Sequence, residues 1–278
     1  MPAESVELVT GEETNNELQE QQQEFATVHD AIDAIWCNPP SQLRLRVPHK
    51  PVVDEADVKR VEELRKKVES LAVHLDEQTQ AEVDAHLDPL TLERFVLARP
   101  TVDGAASMFM ATMAWRVERN LSHLYAELHP TGWGSGSSSN KAELASAHFY
   151  GGLVGKTRKG YPLFVERLGR LDLDGMARSP AAREAVVDAY TCYLEGIFRV
   201  VRASAAAEGR LVRAVLVVDL AGAAWSMLRH VSLLQGNSKI AVENYPELYA
   251  PILIVNAPGW IAGAWSLFSA CCRIRTCA

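Results

Sequence analysis

The 278-residue chain is 48% hydrophobic and 23% charged, enough apolar content for a globular core. Its 28 Lys and Arg against 35 Asp and Glu give a net charge of −7, and eight of the acids but none of the bases fall in residues 1–30. A near-neutral body behind an acidic leader argues against nucleic acid as the main partner, because neutralising phosphates needs clustered Lys and Arg.

Five cysteines without framework spacing fit a reducing compartment. The opening MPAESVELVTGEE lacks the basic and apolar regions of a signal peptide. A cytoplasmic protein is expected.

Residues 1–50 are rich in Glu, Gln and Asn, then in Pro, and read as a disordered acidic leader. Asp54 can cap a helix running to about Leu75, with Val58, Val61, Leu64, Val68, Leu71 and Leu75 on one face. A shorter helix is predicted over Leu90–Arg99. A third runs from Val102 to Leu121, with Ala106, Phe109, Met110, Met113 and Val117 as its inner stripe. Together they predict a small helical bundle over residues 51–130. The Gly/Ser loop from Trp133 to Asn140 marks the domain boundary.

A second domain is predicted over residues 140–269. Pro162–Arg167, Val212–Leu220 and Pro251–Asn256 are short apolar, β-branched runs, and the segments Ala182–Ala207 and Ala224–Glu243 between them have helical spacing. Alternation of strand and helix implies parallel pairing with right-handed crossovers. The fold class is therefore α/β, a helical bundle followed by a mostly parallel sheet with helices. Leu248–Cys272 carries no charge and is long enough to span a bilayer. Pro251, Asn256, Pro258 and Gly259 interrupt it, so a strand followed by a helix over Trp260–Phe268 is the better reading.

Motif by motif, catalytic chemistry finds no footing. Gly151-Gly-Leu-Val-Gly155-Lys156-Thr157 has the wrong glycine spacing for a phosphate loop and reads as a hairpin turning at Lys159-Gly160. Ser135 lacks the glycine two residues before it that a nucleophile elbow requires. The histidines form no HxxxH or HExxH pair, and Cys271, Cys272 and Cys277 have no zinc-like spacing. No catalytic residue, metal site or cofactor is expected, and the protein is not expected to be an enzyme. Asp219, closing an apolar strand, and Glu247, at a helix-to-strand turn, each admit a structural or a functional role.

Leu92-Glu-Arg-Phe-Val-Leu-Ala-Arg99 with Trp115-Arg116, the block from Gly151 to Gly169, Val217-Val-Asp-Leu-Ala-Gly222, and Asn244-Tyr-Pro-Glu247 through Val255-Asn-Ala-Pro258 to Ala264-Trp-Ser266 occur in that order. With these four blocks the chain resembles the CRAL-TRIO lipid-binding family, which includes phosphatidylinositol transfer proteins. The resemblance implies a helical N-terminal domain and an α/β lobe whose sheet floors an apolar pocket for one lipid. It implies that Glu247 takes part in inositol headgroup binding, and that Ala214, Leu216, Val218, Ile254, Trp265 and Phe268 line the pocket. Alternation along the strand independently puts Ala214, Leu216 and Val218 on the face away from Asp219.

The implied function is binding and intermembrane transfer or presentation of a single phospholipid, of phosphatidylinositol class, without covalent chemistry. The partners implied are that lipid or another hydrophobic ligand and, transiently, a membrane surface, giving a cytoplasmic, peripheral membrane protein. Leu97 and Leu248 replace arginines of the family pattern. After Phe268 the family continues into a gate helix where this chain has the Cys-rich stretch of residues 270–278. Truncation is the expectation there, and with it a membrane-associated or protein-interaction remnant lacking lipid exchange as the alternative function.

Overall fold

Residues 55–128, 144 and 148–261 are described by the computed structural model. The expected leader, the Gly/Ser loop, most of the helix over Trp260–Phe268 and the Cys-rich tail lie outside these residues.

Among the described residues five helices form the N-terminal bundle: α1 (Glu55–Ala72), α2 (Glu77–Ala85), α3 (Pro89–Ala98), α4 (Val102–Glu118) and α5 (Leu121–Leu128). Three of them start on a side chain that accepts a backbone N–H. Asp76, Asp88 and Thr101 each cap the amide three residues on, satisfying a donor that the first helical turn leaves orphaned. Leu64, Val68, Val83, Phe95, Phe109 and Met113 fill the bundle core.

Three details differ from the sequence reading. α2 was not foreseen, since EQTQAEVDA has almost no apolar stripe and owes its definition to the Asp76 cap. α1 turns Leu64, Val68 and Ala72 inward and leaves Val58 and Leu71 exposed. The helix expected to run to Leu121 instead breaks at Asn120, whose φ of 46° is a left-handed conformation that Asn tolerates better than most residues.

The second lobe holds a four-stranded sheet in the order β1-β2-β3-β4, with β1 (Gly151–Lys156), β2 (Pro162–Glu166), β3 (Ala214–Asp219) and β4 (Tyr249–Val255). β1 and β2 are an antiparallel hairpin, and β2, β3 and β4 run parallel. The Gly151–Lys156 segment is thus a strand, and Gly160, at φ 83°, makes the turn after it.

The short α6 (Leu173–Arg178) and the long α7 (Pro180–Glu208) connect β2 to β3. α7 ends on Gly209 in the left-handed conformation, a common helix terminator. The stretch expected as one helix from Ala224 divides into a 3₁₀ turn (Trp225–His230) and α8 (Val231–Asn244). Both sheet faces are buried: Leu163, Val165, Val215 and Val217 point one way and Phe164, Ala214 and Leu216 the other. Burial on both faces is what a central parallel strand with a continuous apolar sequence requires.

Candidate functional site

Alternation along β3 and the pairing register decide which residues share a face. Ala214, Leu216 and Val218 lie with Phe164 and Glu166 of β2 and with Tyr249, Ile252 and Ile254 of β4. Tyr193, Leu194, Ile197 and Val201 of α7 pack over this face, joined by Tyr245 and Leu248. Ala214 and Leu216 are buried in that core, Val218 sits at its margin, and Ile254 is half-buried toward the C-terminal end of the strands. Trp265 and Phe268 are outside the described residues.

One acid stands on this otherwise apolar face. The Glu166 Oε1 and the Tyr249 hydroxyl are both buried without a hydrogen-bond partner among the described residues. The Tyr193 hydroxyl from α7 is a close neighbour of the Glu166 carboxyl. Burial pushes that carboxyl up to about 7, only partly offset by the neighbouring Tyr193 hydroxyl. Burial, and then the neighbouring acid and tyrosines, holds the Tyr193 and Tyr249 hydroxyls well above the ordinary tyrosine range. Each orphaned polar atom is costly, on the order of 1–3 kcal/mol when nothing replaces the water it lost. Sequence reading missed this trio. Its visible signal was an acid in phase with the apolar side chains of PLFVE.

Glu247 sits at the opposite end of the strands from Asp219, in the turn where α8 gives way to β4. Its φ is 54°. Arg94, buried in α3, donates 2.7 Å to the Glu247 carbonyl and 2.6 Å to that of Val212. Burial lowers the Arg94 pKa to about 10, and the nearby Arg213 charge pushes the same way. The Glu247 carboxylate accepts from Arg213 Nε at 2.9 Å and Nη2 at 2.6 Å. The turn is therefore fixed by two arginines, one on its backbone and one on its side chain.

Asp219 ties loops together. Its Oδ1 accepts the Ala221 N–H and the Asn256 amide, each at 2.9 Å, and Arg167 Nε lies 3.9 Å from its Oδ2. Among the described residues, no group of three or more His, Cys, Asp or Glu could hold a metal ion, and no helix is long and apolar enough to cross a membrane. An open groove of about 650 Å³ between α4 and α8, lined by Arg99, Met108, Trp115 and Lys239 among others, includes none of the sheet residues.

Residues 147–275 match the CRAL/TRIO domain. The chain is 28% identical over 186 residues to "Protein real-time" of Drosophila melanogaster, covering 65% of this chain and 26% of that protein. It is 24% identical over 231 residues to "Phosphatidylinositol/phosphatidylcholine transfer protein SFH9" of Arabidopsis thaliana, covering 80% of this chain and 38% of that protein. The chain thus spans between about a quarter and two fifths of the length of these two relatives. Among solved structures it is similar to a crystal structure of Sfh5, with a TM-score of 0.54 at 14% identity, covering 80% of this chain and 78% of that one. At that identity the likeness speaks for the fold.

Proposed function

Since the chain carries a domain of the CRAL-TRIO family, we propose that it binds a single phospholipid of phosphatidylinositol class and transfers it between membranes or presents it, without covalent chemistry. A relative whose name carries phosphatidylinositol and phosphatidylcholine transfer supports the lipid class. The observation that carries the reading is the sheet face itself. It is apolar over Leu216, Val218, Ile252 and Ile254, yet holds Glu166 Oε1 and the Tyr249 hydroxyl buried and unpartnered. A ligand with an apolar body and a hydrogen-bonding head matches both features at once.

This reading assigns Ala214, Leu216, Val218 and Ile254 to the lining, with Trp265 and Phe268 beyond the described residues, and gives Glu247 a part in headgroup recognition. The energetic demand is large. A diacyl lipid has on the order of thirty methylenes, so holding it in water without cover costs ~20 kcal/mol or more at ~0.8 kcal/mol each. Binding therefore requires a cavity that closes around both chains.

Native mass spectrometry of the full chain after incubation with mixed-phospholipid vesicles tests the proposal. One bound phospholipid per protein, enriched in phosphatidylinositol, is the expected result. A chain that sediments with vesicles but carries no lipid out of them would overturn it in favour of a membrane-associated remnant.

A further inference from the structure

The C-terminal ends of the three parallel strands open into loops that are locked to one another. Gly169, in the 3₁₀ turn Leu168–Arg170 after β2, lies so close to the β3 exit that a Cβ there would stand 2.2 Å from the Ala221 carbonyl oxygen. Asp219 holds the Ala221 amide and the Asn256 side chain together, so the exits of β3 and β4 are also joined. From these two loops Trp225 and Trp260 stack face to face, ring centroids 4.9 Å apart at 29°.

The stack is not buried. Trp225 is 62% exposed, and Ala221, Gly222, Ala224, Ala257 and Gly259 around it are exposed as well. Residues 220–228 and 256–260 contain no Asp or Glu. Arg229, on the same short helical turn as Trp225, has its side chain 68% exposed. The nearby acids are engaged: Asp174 accepts from His230 at 2.7 Å and faces Arg229 at 3.7 Å, and Asp172 caps Gly175 and lies 3.2 Å from His148.

A contiguous exposed apolar patch on a soluble lobe is a contact surface more often than an accident. Indoles prefer the bilayer interface, where an apolar body and a polar N–H are both accommodated. Rigid loops free of acids, with one exposed guanidinium alongside, suit an interface of acyl boundary and anionic headgroups better than a protein groove.

We propose that this platform, Trp225 stacked on Trp260 with Arg229 on the same turn, is the surface by which the protein docks on a phospholipid bilayer. It rests on the lipid-binding reading above and adds which face meets the membrane. Docking there puts the C-terminal edge of the sheet at the bilayer and leaves Glu247, at the other end of the strands, on the distal side.

Co-sedimentation of the full chain with phosphatidylcholine vesicles, with and without phosphatidylserine, tests it. W225A/W260A is expected to lose about tenfold or more in partitioning, the loss of ~1.4 kcal/mol or more of interfacial burial. W225F/W260F is expected to keep most of the binding, and R229Q to lose only the gain that phosphatidylserine gives. Bound lipid, read by native mass spectrometry on the same samples, is expected to be unchanged in all three variants. Full sedimentation of W225A/W260A overturns the docking surface even where bound lipid upholds the function. Absence of bound lipid from a wild-type chain that sediments through Trp225 and Trp260 overturns the function and leaves the surface standing.

Discussion

Arg213 places two donors on one oxygen of Glu247, Nε at 2.9 Å and Nη2 at 2.6 Å, and leaves the other carboxylate oxygen uncommitted by that arginine. The pair is part-exposed, with the Glu247 side chain 31% accessible, so its worth to the fold is small, at most about 1 kcal/mol. A residue held in a strained φ of 54° by Arg94 and Arg213, for so little stability, is well placed to be an acceptor for ligand hydroxyls. E247A is expected to lower phosphatidylinositol transfer about tenfold, equivalent to ~1.4 kcal/mol, with phosphatidylcholine transfer and the melting temperature nearly unchanged. Equal loss for both lipids would remove Glu247 from headgroup recognition.

Arg116 of α4 joins the bundle to the sheet lobe through buried charge. It bonds Glu195 of α7 through both terminal nitrogens, at 2.8 and 3.1 Å, and Glu82 of α2 at 2.8 Å. Burial alone would raise the Glu195 carboxyl, but hydrogen bonds from Arg116 and Arg199 hold it below the ordinary glutamate range. R116M is expected to cost roughly 3 kcal/mol in urea unfolding, because it leaves a carboxylate buried with only part of its compensation. R116M/E195M, which removes both charges, is expected to recover most of that. A double variant no more stable than R116M would contradict the unpaired-charge account.

How much of this was readable beforehand divides along a physical line. The β3 strand, the long α7 and the PILIVN strand announced themselves because apolar periodicity is a local property. The hairpin reading of GGLVGKT rested on spacing and holds. Glu166 gave only a faint signal, since its meaning depends on Tyr193 and Tyr249, which the fold brings in from α7 and β4. Arg116 was legible as part of a family motif but not as a bridge, because Glu82 and Glu195 lie far from it along the chain. Asp219 and Glu247, each left between structure and function, separate in the fold: Asp219 ties two loops, while Glu247 keeps an accessible carboxylate.

Gly169 is a position where packing rather than φ demands glycine. A Cβ would come within 2.2 Å of the Ala221 carbonyl oxygen and 2.7 Å of the Leu220 carbonyl carbon, and backbone atoms cannot rotate away as a side chain would. G169A is expected to lower stability by roughly 1–3 kcal/mol, the usual cost of overpacking, and to weaken vesicle binding by displacing the Trp225 loop. A thermal melt indistinguishable from wild type would mean that the two loops separate without cost.

Glu166 makes stability depend on pH in the direction opposite to a salt-bridged acid. Its carboxyl titrates near 4.5 unfolded and is raised to about 7 in the fold by burial. The neutral acid is therefore favoured in the native state. This contribution is fully present below pH 4.5 and is lost as pH rises to 7. Over that window the shift is worth on the order of 3 kcal/mol, since each unit is ~1.4 kcal/mol. E166Q, which mimics the neutral acid, is expected to be more stable than wild type by about that amount at pH 8, and nearly equal to it at pH 5, in thermal melts of lipid-free protein. Phospholipid loading at pH 8 is expected to narrow the gap, because a headgroup donor reaching Glu166 Oε1 would stabilise the carboxylate that glutamine cannot provide. The same difference at both pH values would place Glu166 in water instead of on the buried face.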